Sequence, residues 1–234
     1  MAIYHLHVQV ISRGKGHSAT HTAARCTGSI IHDLRTGRTY DFTDKAGGVV
    51  LSFISLPQGA AAGFLDRSVL WNGAEAAERR YNGRTAREID VALAHELSTE
   101  AQERTLRRMA LFLNERYRVA VEVSVHLPDP MADQRNDYAI MMFTTREVTP
   151  DGFGKKTLAL DRGEQRVAEF KLIRKEWETI VNSELEAAGL SVRISSESNE
   201  ARGINRPRAV HEGARATHIR RRKELLRREK TITG

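Results

Sequence analysis

Cysteine and long apolar runs are nearly absent from this chain, and each shortage excludes a class of protein. Cys26 is the one cysteine among 234 residues, which excludes an internal disulfide framework and a cysteine-based zinc cluster. No apolar run approaches the ~18 to 20 residues of a membrane span. Met1 leads into a strand-like segment rather than a charged and then apolar leader. The sequence therefore predicts a cytoplasmic protein with no membrane partner.

Positive charge is abundant, but it is concentrated at one end of the chain. The formal net charge is +7, with 37 Lys and Arg against 30 Asp and Glu. Residues 202–234 hold 11 Lys and Arg against 3 Glu, a net charge of +8, so the rest of the chain is close to neutral. Clustered basic side chains suit backbone phosphates, because each neutralised phosphate releases counterions. The tail therefore predicts a polyanionic partner.

The hydrophobic pattern predicts strands and helices that mix without regular alternation. This mixture favours an α+β fold in which helices pack on one face of an antiparallel-type sheet. The strand at the start of the chain carries His5 and His7 on its polar face. The pattern predicts strands over 2–11, 49–56, 87–93, 119–126 and 136–147, a hairpin over 30–41, and helices over 18–27, 64–78, 98–117, 165–188 and 214–230.

Several short motifs carry a resemblance to a known family. They are Arg-Glu-Ile-Asp-Val-Ala-Leu at 87–93, Thr-Thr-Arg-Glu at 144–147, Asp-Gly-Phe-Gly-Lys-Lys at 151–156, Glu-Ala-Arg-Gly-Ile at 200–204 and His-Glu-Gly at 211–213. In this order and spacing they resemble the MobA/MobL family, relaxases that nick plasmid DNA for conjugative transfer. The resemblance implies a relaxase-like (HUH endonuclease) fold over 1–213, followed by a basic helix or tail over 214–234.

The residues that this resemblance leads us to expect at a nicking centre are largely replaced. The family holds a divalent metal with a His-x-His strand and a third histidine. Tyr138 and Ile140 stand in the His-x-His positions here, and only His126 remains. Arg25 stands in place of the nucleophilic tyrosine, and a guanidinium that stays protonated cannot attack phosphorus. Asp90 matches a family carboxylate, so the resemblance implies a catalytic or orienting role for it.

The sequence leaves open whether substitutes fill these positions. His5 and His7 share a strand face, and with His126 they could bind a divalent ion such as Mg²⁺ or Mn²⁺. The alternative, which we expect, is that no cofactor binds and that His126 titrates as an ordinary histidine. The remaining candidate nucleophiles are Cys26, Tyr4, Tyr40 and Tyr138.

Phosphate binding is the chemistry that the residues still support. We expect the DNA contacts to be Arg13, Lys15, Arg25, Lys155, Lys156, Arg220, Arg221 and Arg222. The sequence thus predicts a relaxase-like protein of plasmid transfer that binds single-stranded or hairpin DNA of the origin-of-transfer kind and is deficient in nicking. Two alternatives stay open: an active relaxase with a remodelled metal site, and a regulatory protein that binds an intact relaxase or its accessory factors.

Overall fold

The computed structural model describes residues 4–128, 137–161, 163–198 and 200–203, and the chain divides into two compact units, 1–196 and 197–234. In the second unit, the Ala201 amide donates to the Ser198 hydroxyl across 3.2 Å. The predicted boundary after residue 213 and the predicted helix over 214–230 lie outside the described residues.

Nine strands lie within the described residues of the first unit, and five of them form one antiparallel sheet. The strands are β1 (Leu6–Ser12), β2 (Ile30–Asp33), β3 (Arg38–Asp41), β4 (Val49–Ser55), β5 (Arg84–Ala92), β6 (Val121–His126), β7 (Tyr138–Thr144), β8 (Arg146–Thr149) and β9 (Gly152–Lys156). The sheet order is β1-β5-β7-β6-β4, so β5, β7 and β6 are central. The pairs β2–β3 and β8–β9 form separate two-stranded sheets. The α+β class with an antiparallel sheet is confirmed.

Within the described residues, four α-helices pack on this framework: α1 (Ala19–Thr27), α2 (Arg67–Ala77), α3 (Thr99–Tyr117) and α4 (Gly163–Ala187). The Ser18 hydroxyl caps α1 by accepting from the His21 amide at 3.0 Å. Gly28 ends α1 with φ +59°, and a Cβ there would lie 2.6 Å from the Cα of Ala46. Only glycine allows this close approach. None of the described helices combines the length and apolarity needed to cross a bilayer.

Helices cover both faces of the sheet, so the prediction that they pack on one face was wrong. Met141 of β7 lies in a core with α3 and α4, whereas the next residue, Met142, lies in a core with α1 and α2. Successive strand residues point to opposite faces, so the two cores lie on opposite sides. The physical reason is that the central strands are buried on both sides and need cover on each.

Candidate functional site

Polar side chains gather on the face of the sheet that α1 covers. Glu88 and Asp90 lie two residues apart on β5 and therefore point to the same face. Asp90 and Ser124 pair with the same residue of β7, which places them in one row across the sheet. His126 of β6 pairs with Tyr138 of β7 in the next row. The sheet register thus brings two carboxylates, an imidazole and a phenol together.

Arg25 projects from α1 into this group. Its Nη2 lies 3.7 Å from Oε2 of Glu88 and donates to Sγ of Cys26 at 3.3 Å. The Arg25 side chain is 39% exposed, so a ligand can reach the guanidinium from solvent. Its positive charge also helps to lower the pKa of His126 and opposes the rise in the pKa of Asp90. A fixed cation therefore lies among the polar groups of this face.

The two carboxylates do not ionise together easily. Burial, followed by the charge of Asp90, raises the pKa of Glu88 above its ordinary range. Burial also raises the pKa of Asp90. The amide of Gln9 donates to one oxygen of Glu88, while the buried Oε2 has no hydrogen-bond partner among the described residues. Since like charges side by side repel, the pair tends to keep a proton.

His126 is packed as a neutral imidazole. Its ring stacks on Tyr138, with centroids 5.0 Å apart and planes 10° from parallel. Its Nε2 lies 3.1 Å from the Ser124 hydroxyl. Burial first, and then the charge of Arg25, lowers the pKa of His126 to about 4. The expectation that His126 titrates as an ordinary histidine was therefore wrong, because the ring is partly buried beside a cation.

The residues at this site do not suit a divalent metal. No three His, Cys, Asp or Glu side chains come together to hold an ion anywhere in the described part of the chain. The structure does not bring His7 next to His126, because β5 and β7 lie between β1 and β6. At ~4.8 Å per strand, β1 and β6 are about 14 Å apart. Ile140 offers no donor atom, and the positive charge of Arg25, which acts on His126, would repel a cation.

We expect divalent metals to leave the thermal stability unchanged. A metal at 100 times its dissociation constant would stabilise the folded protein by about 2.7 kcal/mol, which a melting experiment resolves. Melting curves with Mn²⁺, Zn²⁺ and Ni²⁺ should therefore coincide with the curve in chelator. His126→Ala serves as the control variant. A metal-dependent rise in Tm that disappears in His126→Ala would contradict this reading of the site.

Three of the candidate nucleophiles, Cys26, Tyr4 and Tyr138, are held in their protonated forms. Burial raises the pKa of the Cys26 thiol to about 12. Burial likewise raises the pKa of Tyr4, whose hydroxyl donates to the Arg174 carbonyl, and the pKa of Tyr138. Tyr40 lies edge-on to the ring of His21, with centroids 4.9 Å apart. None of Cys26, Tyr4 and Tyr138 has the lowered pKa of an activated nucleophile.

The predicted DNA contacts differ in how free they are to bind phosphate. Arg13 does not suit the role, since its side chain is 9% exposed and its Nε donates to Glu75 at 2.8 Å. Lys156 is 3.1 Å from Glu78. Lys15 and Lys155 are exposed. The remaining contacts, Arg220, Arg221 and Arg222, lie outside the described residues.

Sequence reasoning missed two features of the site. It did not select Glu88, although the two acids at 88 and 90 lie on one face of a strand, which was the available signal. It also missed Glu75, whose side chain is 1% exposed. One oxygen of Glu75 accepts from Arg13, and the other accepts from the Ala19 amide at the start of α1 at 2.7 Å. No sequence pattern indicates that link.

The known proteins that this chain resembles are proteins of mobilisation and conjugal transfer. The model of the MobA/MobL family matches residues 17–222. Mobilization protein MobL of Acidithiobacillus ferridurans is 36% identical over 248 aligned residues, which cover 95% of this chain and 65% of that protein. Conjugal transfer protein TraA of Agrobacterium fabrum is 29% identical over 250, covering 96% of this chain and 22% of TraA. The chain thus spans under two thirds of the length of these relatives.

Solved structures share the fold. One, described as the molecular basis of vancomycin resistance transfer in Staphylococcus aureus, has a TM-score of 0.71 and 29% identity, covering 84% of this chain and 100% of that chain. The conjugative relaxase TrwC in complex with OriT DNA, in a metal-free structure, has a TM-score of 0.52 and 10% identity, covering 89% of this chain and 87% of that chain. At this identity the second likeness shows the fold alone.

Proposed function

This chain belongs to the MobA/MobL family, and from that membership we propose that it binds DNA of the origin-of-transfer kind in plasmid mobilisation without nicking it. The observation that carries the proposal is Arg25, a partly exposed guanidinium that stands at the position of the family's nucleophile. A guanidinium pairs with a backbone phosphate through charge-assisted hydrogen bonds. The side chain that would cut the strand is thus replaced by one that can hold it.

The surroundings of Arg25 support binding rather than cleavage. His126 is neutral near pH 7 because its pKa is lowered to about 4, and it can form a hydrogen bond without adding charge. The raised pKa values of Glu88 and Asp90 mean that the pair does not fully offset the charge of Arg25. The site therefore keeps an affinity for anions while it lacks a metal-ligand set and an activated nucleophile.

The TrwC structure that shares the fold is described as a complex with OriT DNA, which favours the same class of partner for this chain. Because mobilised plasmid DNA lies in the cytoplasm, we place the protein there. The active-relaxase alternative needs a nucleophile with a lowered pKa, which none of Cys26, Tyr4 and Tyr138 has. A regulatory role through an intact relaxase or an accessory factor stays a prediction.

Binding of a single-stranded oligonucleotide across a salt series tests the proposal. With about 5 phosphates neutralised, the slope of log affinity against log salt should lie near −3 to −4. Replacing Arg220, Arg221 and Arg222 with Gln should reduce the magnitude of this slope by about 2, because each phosphate contact to a single strand contributes about 0.7. Fluorescence anisotropy on the full chain measures both values.

The control is the α4 variant Arg166→Gln/Lys171→Gln. It removes two exposed charges from a helix on the face of the sheet opposite to α1 and Arg25. Its slope should match that of the wild type. If the triple tail variant keeps the full slope, the tail is not a binding element. If the wild-type protein binds neither single-stranded nor hairpin DNA, the proposed function is wrong.

A further inference from the structure

Three exposed side chains stand together on the loop between α2 and β5. Arg79, Arg80 and Tyr81 are exposed, and the Tyr81 side chain is among the most exposed apolar groups described, at 87%. Their side chains make no hydrogen bond or ion pair with any described residue. Lys15 is exposed on the neighbouring loop, where a Cβ on Gly14 would lie 3.1 Å from the Cβ of Asn82. We call Lys15, Arg79, Arg80 and Tyr81 the Tyr81 patch.

The backbone of this loop is fixed from inside the protein by Arg13. The Arg13 guanidinium donates to the carbonyl of Glu78 at 2.8 Å and to that of Arg80 at 3.2 Å. The Arg13 amide donates to the Gly83 carbonyl at 3.0 Å. Arg13 is itself held by the buried carboxylate of Glu75. The loop therefore presents its side chains from a defined backbone, which lowers the entropy lost when a ligand binds.

The acidic residues beneath the patch are already neutralised. Glu75 is paired with Arg13 and Arg35, and Glu78 is paired with Arg146 and Lys156. Both carboxylates are buried. These two carboxylates therefore do not compete for the cations of the patch. This differs from Arg25, which shares its surroundings with Glu88 and Asp90.

We propose that the Tyr81 patch is a second nucleic-acid contact, in which an unpaired base stacks on Tyr81 while Arg79, Arg80 and Lys15 bind the flanking phosphates. A free aromatic face beside cations is the arrangement that binds single strands, since every base offers a π-face. The bases of a duplex are already stacked on one another. The inference rests on the proposed function and extends it to a region away from Arg25.

The patch and Arg25 lie at different points along strand β5. The loop that carries Tyr81 leads into Arg84 at the start of β5, whereas Glu88, the β5 residue that Arg25 contacts, lies four residues further along. At about 3.3 Å per residue, this separates the two regions by roughly 13 Å along β5. A DNA segment of several nucleotides is needed to reach both the Tyr81 patch and Arg25.

Titration of the full-length protein with a thymidine single strand of about 20 nucleotides, and with a duplex of the same length, tests the proposal. Tyr81→Ala should weaken single-strand binding about 5- to 100-fold, the range that loss of a stacking aromatic gives. Tyr81→Trp should retain it. Arg79→Gln/Arg80→Gln should reduce the magnitude of the single-strand salt slope by about 1.4. The α4 variant Arg166→Gln/Lys171→Gln is the charge-matched control and should leave both affinity and slope unchanged.

The outcomes separate this inference from the proposed function. If the wild type binds the single strand and a folded Tyr81→Ala binds it equally well, the Tyr81 patch is not a contact, and the proposed function stands. If Tyr81→Ala weakens duplex and single strand alike, stacking on an unpaired base is excluded. If the wild type binds no DNA, the proposed function fails and this inference fails with it.

Discussion

Supercoiled plasmid incubated with this protein in Mg²⁺ or Mn²⁺ is expected to stay intact, with no covalent DNA adduct on the protein. Arg25 has no oxygen that can attack phosphorus, and the ligand positions at 138 and 140 hold a phenol and an alkyl side chain. Loss of several kcal/mol of transition-state stabilisation corresponds to a rate lowered about 1,000-fold or more. Gel electrophoresis of the plasmid measures nicking, and denaturing gels of labelled oligonucleotide measure cleavage and the covalent adduct.

A variant that restores the tyrosine and the two histidines expected from the family provides the matched comparison. Arg25→Tyr combined with Tyr138→His and Ile140→His recreates the hydroxyl and the His-x-His beside His126. We expect it to nick DNA in Mn²⁺, while the control with Arg25→Phe in the same background does not. Nicked product from the wild type that disappears in Tyr138→Phe, Tyr4→Phe or Cys26→Ser would contradict the prediction and identify a different nucleophile.

Arg25 and its two carboxylate neighbours are expected to change DNA affinity in opposite directions. Arg25→Gln removes a charge-assisted contact worth about 1.5–3 kcal/mol, so single-strand binding should weaken about 10- to 100-fold. Asp90→Asn removes a negative charge that competes with phosphate for Arg25, so binding at neutral pH should strengthen. Glu88→Gln should act in the same direction. Weaker binding by a folded Asp90→Asn would show that Asp90 helps to orient the strand rather than oppose it.

The same pair predicts how stability and affinity depend on pH. Because the pKa values of Glu88 and Asp90 are raised in the folded state, the pair favours folding at low pH, and this contribution is lost as pH rises through the folded-state pKa values. His126 acts in the opposite sense, because its pKa is lowered from 6.5 to about 4 and stability is lost as pH falls through that window. The difference between wild type and Asp90→Asn at each pH isolates the carboxylates. The gain in affinity from Asp90→Asn should shrink as pH falls.

Much of the fold could be predicted from the sequence, because it follows from local periodicity. The alternation over 119–126 and the apolar stripe of 98–117 correspond to β6 and α3. The packing of helices on both faces was missed, although the continuous apolar run Ala-Ile-Met-Met-Phe at 139–143 indicates a strand that is buried on both sides. The predicted strand over 136–147 ends at Thr144, where its side chain bonds to the Arg146 carbonyl at 2.7 Å and the chain turns away to pair with β9.

The candidate site was predictable at the positions that a motif marks and not elsewhere. Arg25, Asp90 and His126 were selected from the family resemblance, and the structure places Arg25 against the β5 carboxylates. Whether a basic side chain faces solvent or pairs with a buried carboxylate depends on residues far away in sequence. Arg13 pairs with Glu75, which lies 62 positions away in sequence. Its structural role could therefore not be derived from the local segment.

Glu75 holds the start of helix α1 with one oxygen and Arg13 with the other, so the elements that carry Arg25 and Tyr81 share one buried anchor. If Arg25 and the Tyr81 patch bind the same DNA strand, the second contact forms after the first has already tethered the DNA. The effective concentration for that second contact depends on how rigidly the two regions are spaced. A rigid spacing makes avidity depend on oligonucleotide length. Oligonucleotides too short to bridge both regions would gain nothing from the second, so the affinity would rise once the unpaired DNA is long enough to reach both.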